Sequence, residues 1–143
     1  MNYDAKLAQY KKTNVTTATG VELVVLCYEQ AIKSLSEAKV YYEQKEYIQK
    51  GKALQNALDI IGELKVALDF ERGGEIAKNL DAIYAYIMKT LLEAGIKRQL
   101  DSFDHSIQIL RELKEAWEGI ASNQPQEAPV KIQKHVEHLM AAG

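Results

Sequence analysis

The first 124 residues of this chain contain no proline, and the only two prolines, Pro125 and Pro129, follow in a short polar stretch. Proline breaks the interior of a helix because it lacks the backbone N–H and its ring clashes with the preceding turn. Over the proline-free length, apolar residues recur at steps of three and four, the spacing of one helix face. No stretch alternates between apolar and polar residues as a half-buried strand does. The sequence therefore predicts an all-α protein.

The apolar residues form four stripes, each long enough for a helix. The stripes predict helices over roughly residues 20–43, 45–71, 75–95 and 100–120. Between the second and third stripes, Gly73 and Gly74 precede Glu75, which would place a negative charge where a phosphate loop needs to bind an anion. We therefore expect this glycine pair to form the turn between two helices, with one glycine at positive φ.

Helices of similar length joined by short loops pack as antiparallel neighbours, so the predicted architecture is an antiparallel up-and-down four-helix bundle. The chain of 143 residues fits a single domain. We divide it into an N-terminal arm over residues 1–18, the bundle over 19–121, and a variable tail over 122–143. Within the tail, the stretch VKIQKHVEHLM has the spacing of a short fifth helix.

Charge and composition exclude several classes of partner. Eighteen basic and twenty acidic residues give a net charge of −2, so the basic patch typical of a nucleic-acid-binding protein is not expected. No apolar run approaches the ~18–20 residues that span a bilayer, and no signal sequence is recognisable. The lone Cys27 cannot form an internal disulfide, which fits a reducing compartment. We expect a cytoplasmic protein without membrane insertion, whose exposed faces carry i,i+4 pairs such as Glu46–Lys50.

The residues that commonly carry chemistry do not form a recognisable catalytic or metal-binding pattern. A di-metal bundle needs Glu-x-x-His on two helices, and no glutamate here has a histidine three positions later. His135 and His138 have metal-like spacing, but exposed helical histidines are the commoner case. Cys27 has no histidine near it in sequence and is expected to pack as a small hydrophobe. We therefore expect no enzyme activity, no cofactor and no metal site.

Tyrosine is unusually frequent, with eight tyrosines against two phenylalanines and one tryptophan. Tyrosine suits a surface that is covered by a partner only part of the time, because its ring is apolar and its hydroxyl stays hydrated. Four apolar residues also lie off the core stripes: Ile60, Val66, Tyr86 and Ile109. Single surface hydrophobes are normal, so these mark a docking site only if they join into a patch.

Several segments, in their order and spacing, resemble the flagellar secretion chaperones that bind flagellin. The resemblance covers roughly residues 3–121 and rests on YKKTNVTTATGVELVVLCYEQAIKSL, which begins at Tyr10, on GGEIAKNLDAIYAY, and on ILRELKEAW. The chain departs from the family at Thr19-Gly20, where the family usually has Ser-Pro. It also has Thr90 after Lys89, where the family has a basic pair.

The resemblance implies a helical bundle in the bacterial cytoplasm whose client is the disordered C-terminal segment of flagellin. Such a chaperone prevents premature polymerisation and delivers its client to a component of the flagellar type III export gate, and the family also meets regulators of flagellin synthesis. It further implies an N-terminal arm that lies over an apolar part of the bundle, with Tyr10 at the matching position. Local apolarity adds Leu7 and Val15 to the arm residues. The hypothetical flagellin-binding set is Leu7, Tyr10, Val15, Ile60, Val66, Tyr86 and Ile109.

An alternative from another class is a regulatory or scaffolding bundle that self-associates through the same off-stripe residues. It predicts a dimer that depends on protein concentration and needs no client. A chaperone of the export type should form a one-to-one complex with flagellin.

Overall fold

The computed structural model describes residues 20–122, with side chains as far as Gly119. Its elements are four α-helices: α1 (Gly20–Glu43), α2 (Tyr47–Val66), α3 (Phe70–Lys97) and α4 (Leu100–Ser122). No strand occurs among these described residues, so the predicted all-α class and the four helices are confirmed. The N-terminal arm and the predicted fifth helix lie outside the described residues.

The four helices form a ring in which each packs against the next along the chain and α4 packs back against α1. Two ion pairs join α1 to α4. Lys39 Nζ lies 2.8 Å from Asp104 Oδ1, and Lys114 Nζ lies 3.7 Å from Glu29 Oε1. Lys39, late in α1, pairs with Asp104, early in α4, whereas Glu29, earlier in α1, pairs with Lys114, later in α4. This is the order that antiparallel neighbours require.

The core fills the centre of this ring and contains most residues of the predicted apolar stripes, although Ile48, counted in the second stripe, is 77% exposed. Burial of each large aliphatic side chain stabilises the fold by about 1.5–3 kcal/mol, which makes this cluster the main source of stability. The largest fully buried side chains are Tyr28, Tyr84, Phe103, Leu35, Ile60, Ile61, Leu80, Ile87, Leu91, Leu110 and Leu113.

Two residues predicted to lie off the core are in fact part of it. The exposed fraction is 0% for Ile60 and 6% for Ile109, so their expected surface position is wrong. Each helix of a ring packs against two neighbours, and its buried face is therefore wider than the single stripe that the sequence analysis followed. A partner cannot reach these two side chains in this conformation.

The connection between α2 and α3 differs from the prediction in its boundaries. Helix α2 ends at Val66, earlier than the predicted residue 71, because Asp69 starts a new helix. The Asp69 carboxylate accepts hydrogen bonds of 3.1 Å from the backbone N–H groups of Glu71 and Arg72 and so caps the first turn of α3. Gly74, at φ 49° and ψ −124°, kinks the chain inside α3. The predicted positive-φ glycine is confirmed, and it separates a short helical turn over residues 70–73 from the longer helical segment that follows.

A buried pair of tyrosines connects α1 and α3 across the middle of the ring. The hydroxyls of Tyr28 and Tyr84 are hydrogen-bonded, and their ring centroids lie 6.5 Å apart. Burial raises the pKa of both phenols above the usual 10.0, so both stay neutral. Each hydroxyl thereby satisfies the other in a place that water does not reach.

Replacing either tyrosine of this pair should destabilise the protein. Replacing both should cost less than the sum of the two single losses. Tyr28→Phe leaves the Tyr84 hydroxyl buried without this partner, which costs about 1–3 kcal/mol, and Tyr84→Phe has a similar effect. In the double variant both hydroxyls are gone, so its loss of stability should be clearly smaller than the sum. Urea unfolding of the four proteins measures this, and strictly additive losses would contradict the role assigned to the pair.

Candidate functional site

The exposed apolar side chains are distributed unevenly over the bundle. Among the side chains that the structure describes, seven of the eight large ones lie on α2 or α3, and the other, Val40, lies on α1. Val66 is 87% exposed and Ile96 is 82% exposed, close to full exposure for both. The full set is Val40, Tyr47, Ile48, Val66, Phe70, Tyr86, Leu92 and Ile96. The α2 and α3 side of the bundle is therefore where a partner has apolar surface to cover.

A groove of about 860 Å³ runs between α2 and α3 on this side. Gly62 lies in its wall, and a Cβ added there would come within 3.9 Å of Met88 Cε, so the missing side chain keeps the groove open. We call it the α2–α3 groove. Its lining residues are Gln55, Leu58, Asp59, Gly62, Glu63, Val66, Ala67, Met88 and Leu92.

The chemistry of the α2–α3 groove suits an amphipathic peptide. Its α3 wall carries Met88 and Leu92 at a spacing of four, and Ile96 continues this row along the helix. The half-buried Met88 is flexible and can adapt to different apolar side chains. On the α2 wall, Asp59 and Glu63 give the groove an acidic edge. A helix that presents apolar residues at steps of three and four fits such a surface.

A second, smaller pocket lies at the end of the bundle where α1 begins and α4 ends. Its volume is about 310 Å³, and its lining residues include Val24, Leu64, Leu68, Ile76, Leu80 and Trp117. We call it the end pocket. The first described residue, Gly20, is one helical turn before Val24, which lies in the wall of this pocket.

The predicted partner-binding residues are not gathered onto one surface. Val66 lines the α2–α3 groove, whereas Tyr86 contacts α4 on the other side of α3, with its hydroxyl 3.3 Å from His105 Nε2. Ile60 and Ile109 are in the core. Leu7, Tyr10 and Val15 lie outside the described residues. The binding role of Val66 and Tyr86 stays a prediction.

The sequence analysis missed the residues of α3 that line the groove. Met88, Leu92 and Ile96 follow each other at steps of four, directly beside the core residues Ile87 and Leu91. Each of the first two groove residues directly follows a core residue in the sequence, and only the row of core residues was taken as a stripe. A second row at the same spacing was the signal that could have revealed the groove.

The described residues were also compared with the expectations for a metal site, a reactive cysteine and a membrane-spanning helix. No group of three or more His, Cys, Asp and Glu side chains among them is placed to hold a metal ion. Cys27 is buried and packs in the core, as predicted. Within residues 20–122, none of the helices combines the length and apolarity needed to cross a membrane.

Comparison with known proteins gives consistent matches over most of the chain. The profile of the family described as "Flagellar protein FliS" matches residues 3–124. The flagellar secretion chaperone FliSB of Pseudomonas aeruginosa is 34% identical over 119 residues, which cover 80% of this chain and 94% of that protein. The flagellar secretion chaperone FliS of Vibrio cholerae is 36% identical over 118 residues, covering 80% and 87%. That of Salmonella typhimurium is 34% identical over 108 residues, covering 75% and 80%. These relatives are named as chaperones and not as enzymes.

Proposed function

The chain belongs to the family of the flagellar protein FliS, and we propose that it binds the C-terminal segment of flagellin in the bacterial cytosol and holds it for export. Its relatives are named flagellar secretion chaperones. The family is one of chaperones, so the chain is not an enzyme, in agreement with the sequence analysis. The observation that carries the proposal is the open α2–α3 groove with its exposed apolar edge at Val66 and Leu92.

The proposed binding mode is a helix laid into the α2–α3 groove. A flagellin tail that is disordered when free gains contact with Met88, Leu92 and Ile96 by presenting one apolar face, and it becomes helical as it does so. Ordering of the tail consumes part of the contact energy, so the complex stays reversible. The same apolar face would otherwise pack against other flagellin molecules, and covering it is sufficient to prevent premature polymerisation.

The N-terminal arm is proposed to cover the end pocket when no client is bound. The arm precedes Gly20, which is next to the Val24 wall of this pocket. Its apolar residues Leu7, Tyr10 and Val15 are suitable in size for an apolar pocket. If the arm leaves the bundle when the client binds, the arm has a different position in the complex and in the free chaperone. The export gate could then distinguish the two forms.

Regulators of flagellin synthesis are further candidate partners.

Charged substitutions in the groove should weaken binding of a flagellin C-terminal peptide of about forty residues. Leu92→Asp or Val66→Asp places a carboxylate where the proposed interface excludes water, and we expect about a tenfold to hundredfold loss of affinity. Val40→Asp on α1 is the matched control for Leu92→Asp, because the exposed fractions of the two side chains are 51% and 52%, and it should bind like the wild type. Isothermal titration calorimetry gives affinity and stoichiometry, and circular dichroism follows helix formation.

Three outcomes of this titration would decide against the proposal. If the peptide does not bind at micromolar concentration, the proposal that flagellin is the client is refuted. Equal effects of Val40→Asp and Leu92→Asp would refute the groove as its site. A concentration-dependent dimer that forms without peptide, and that Leu92→Asp dissolves, would favour the self-associating scaffold.

Replacement of Tyr10 by alanine tests the arm separately. If the arm alternates between the bundle and the client, Tyr10→Ala should change the affinity for the same peptide by about threefold or more. Tyr3→Ala, which removes another tyrosine of the arm, before the quoted segment that begins at Tyr10, serves as the control. Unchanged affinity in Tyr10→Ala would remove the arm from the binding mechanism and leave the groove unaffected.

A further inference from the structure

One end of the α2–α3 groove lies at the end of the bundle where α4 ends. Ala67 lines both the groove and the end pocket, and Trp117 of α4 lines the end pocket as well. Ser122, the last residue of α4, follows Trp117 by roughly 7.5 Å along the helix. The chain therefore leaves α4 on the side of the bundle where the groove reaches Ala67, and residues 123–143 continue from there.

Within this tail, the segment 130–140, VKIQKHVEHLM, has the pattern of a short helix with one apolar face. Ile132, Val136 and Leu139 recur at steps of four and three, and Met140 widens the same face. Isolated helices shorter than about 12–15 residues are marginal in water. A helix of this length therefore becomes stable only by packing its apolar face against another surface.

The length of this segment matches the length of the groove. As a helix, residues 130–140 span roughly 16 Å. The α2 wall of the groove extends from Gln55 to Val66, which is also roughly 16 Å along the helix axis. Residues 123–129 connect the segment to α4 and reach about 23 Å when extended. This connection is long enough to place the start of the segment at the Val66 end of the groove.

The charges of the segment and of the groove edge are complementary. The segment carries Lys131 and Lys134 against a single acidic residue, Glu137. On the groove edge, Asp59 forms no ion pair within the part of the chain that the structure describes. Its carboxylate accepts a hydrogen bond of 2.8 Å from Gln55 Nε2, which leaves most of its acceptor capacity available. This edge therefore attracts a basic helix.

The end pocket is less suitable for the same segment. Its two charged lining residues, Asp69 and Arg72, pair with each other, with Arg72 Nε 3.7 Å from Asp69 Oδ2. The pocket therefore has no charge preference that favours a basic segment. Its volume is about 310 Å³, against about 860 Å³ for the groove, and a helix of three turns needs the larger of the two.

We propose that residues 130–140 lie as a short helix in the α2–α3 groove of the same molecule while no client is bound. The segment then covers the exposed side chains of Val66 and Leu92 and contacts Met88, and the client has to displace it. The displacement rests on the proposed function, whereas the docking of the segment does not.

The short connection to α4 makes such docking effective even if the contact itself is weak. A short tether gives an effective concentration in the millimolar range. A segment whose intrinsic dissociation constant is about 1 mM therefore occupies the groove for much of the time. The apparent affinity for the client is then lowered about threefold to tenfold, because the client binds only the fraction of molecules whose groove is open.

Paramagnetic NMR of the full chain tests the docking. A nitroxide is attached at Glu137→Cys, on the polar face of the segment, and Cys27 does not compete for the label because it is buried. We expect the methyl signals of Met88 and Leu92 to lose most of their intensity. The signal of Ile32, on the α1–α4 face, should keep its intensity.

A matched pair of variants connects this result to the groove and to the client. Val136→Asp places a carboxylate in the apolar face of the segment and should release it, whereas Ala141→Asp adds the same charge on the opposite face and should leave it docked. Combined with the label at Glu137→Cys, Val136→Asp should restore the signals of Met88 and Leu92. In calorimetry, Val136→Asp should bind the flagellin C-terminal peptide about threefold to tenfold more tightly than the wild type, and Ala141→Asp should bind like the wild type.

Four results would overturn the inference. The first is full intensity of the Met88 and Leu92 signals in the labelled chain, which leaves the proposed function intact. The second is loss of the Val24 and Leu80 signals instead, which would place the segment in the end pocket. The third is signal loss in a mixture of nitroxide-labelled protein without isotopes and isotope-labelled protein without nitroxide, which would assign the segment to a second copy of the chain. The fourth is equal peptide affinity of the wild type and Val136→Asp, which would exclude competition with the client.

Failure of the proposed function gives a different result. In that case the peptide binds neither the wild type nor Val136→Asp, while the nitroxide still weakens the Met88 and Leu92 signals. The docking of the segment would then stand without the client.

Discussion

The close approach of α2 to α3 is the contact on which the candidate site depends. At Gly95 the two helices are so near that an added Cβ would lie 3.0 Å from the Leu54 side chain. At Gly62 the absent side chain leaves room beside Met88. Gly95 gives the Leu54 side chain room to pack against α3, next to the end of the groove at Gln55 and Leu92. A side chain larger than alanine at Gly62 would narrow the groove beside Met88.

The α1–α4 side and the α2–α3 side of the ring differ in how many large apolar side chains they expose. Ion pairs bridge the helices on both sides, with Lys39–Asp104 and Lys114–Glu29 between α1 and α4, and Lys65–Asp81 between α2 and α3. The difference between the two sides lies in the large apolar side chains that they expose. On the α2–α3 side, apolar residues stay exposed even though the core is already complete. Exposed apolar surface contributes nothing to the stability of the isolated bundle and carries a risk of aggregation. This difference in exposed apolar surface is the physical basis for proposing that the partner binds α2 and α3.

The sequence predicted the fold more fully than the site. Long stripes at a spacing of three and four residues define helices whatever their surroundings, and all four were found. Boundaries and burial depend on neighbours that a single sequence does not reveal. Helix α2 ends earlier than predicted because Asp69 caps the start of α3. Ile60 and Ile109 lie in the core because each of their helices packs against two neighbours. The row of Met88, Leu92 and Ile96 was visible in the sequence, but only the arrangement of α2 beside α3 makes it one wall of a groove.

The central claim is that the client lies against α2 and α3, and methyl-group NMR of the full chain tests it most directly. With methyl-labelled protein and the flagellin C-terminal peptide, each side chain reports its own contact. The account predicts that the methyl signals of Val66, Met88, Leu92 and Ile96 shift on titration, while that of Val40 on α1 does not. Shifts confined to Val40 and the α1–α4 face, with the groove signals unchanged at saturation, would contradict it.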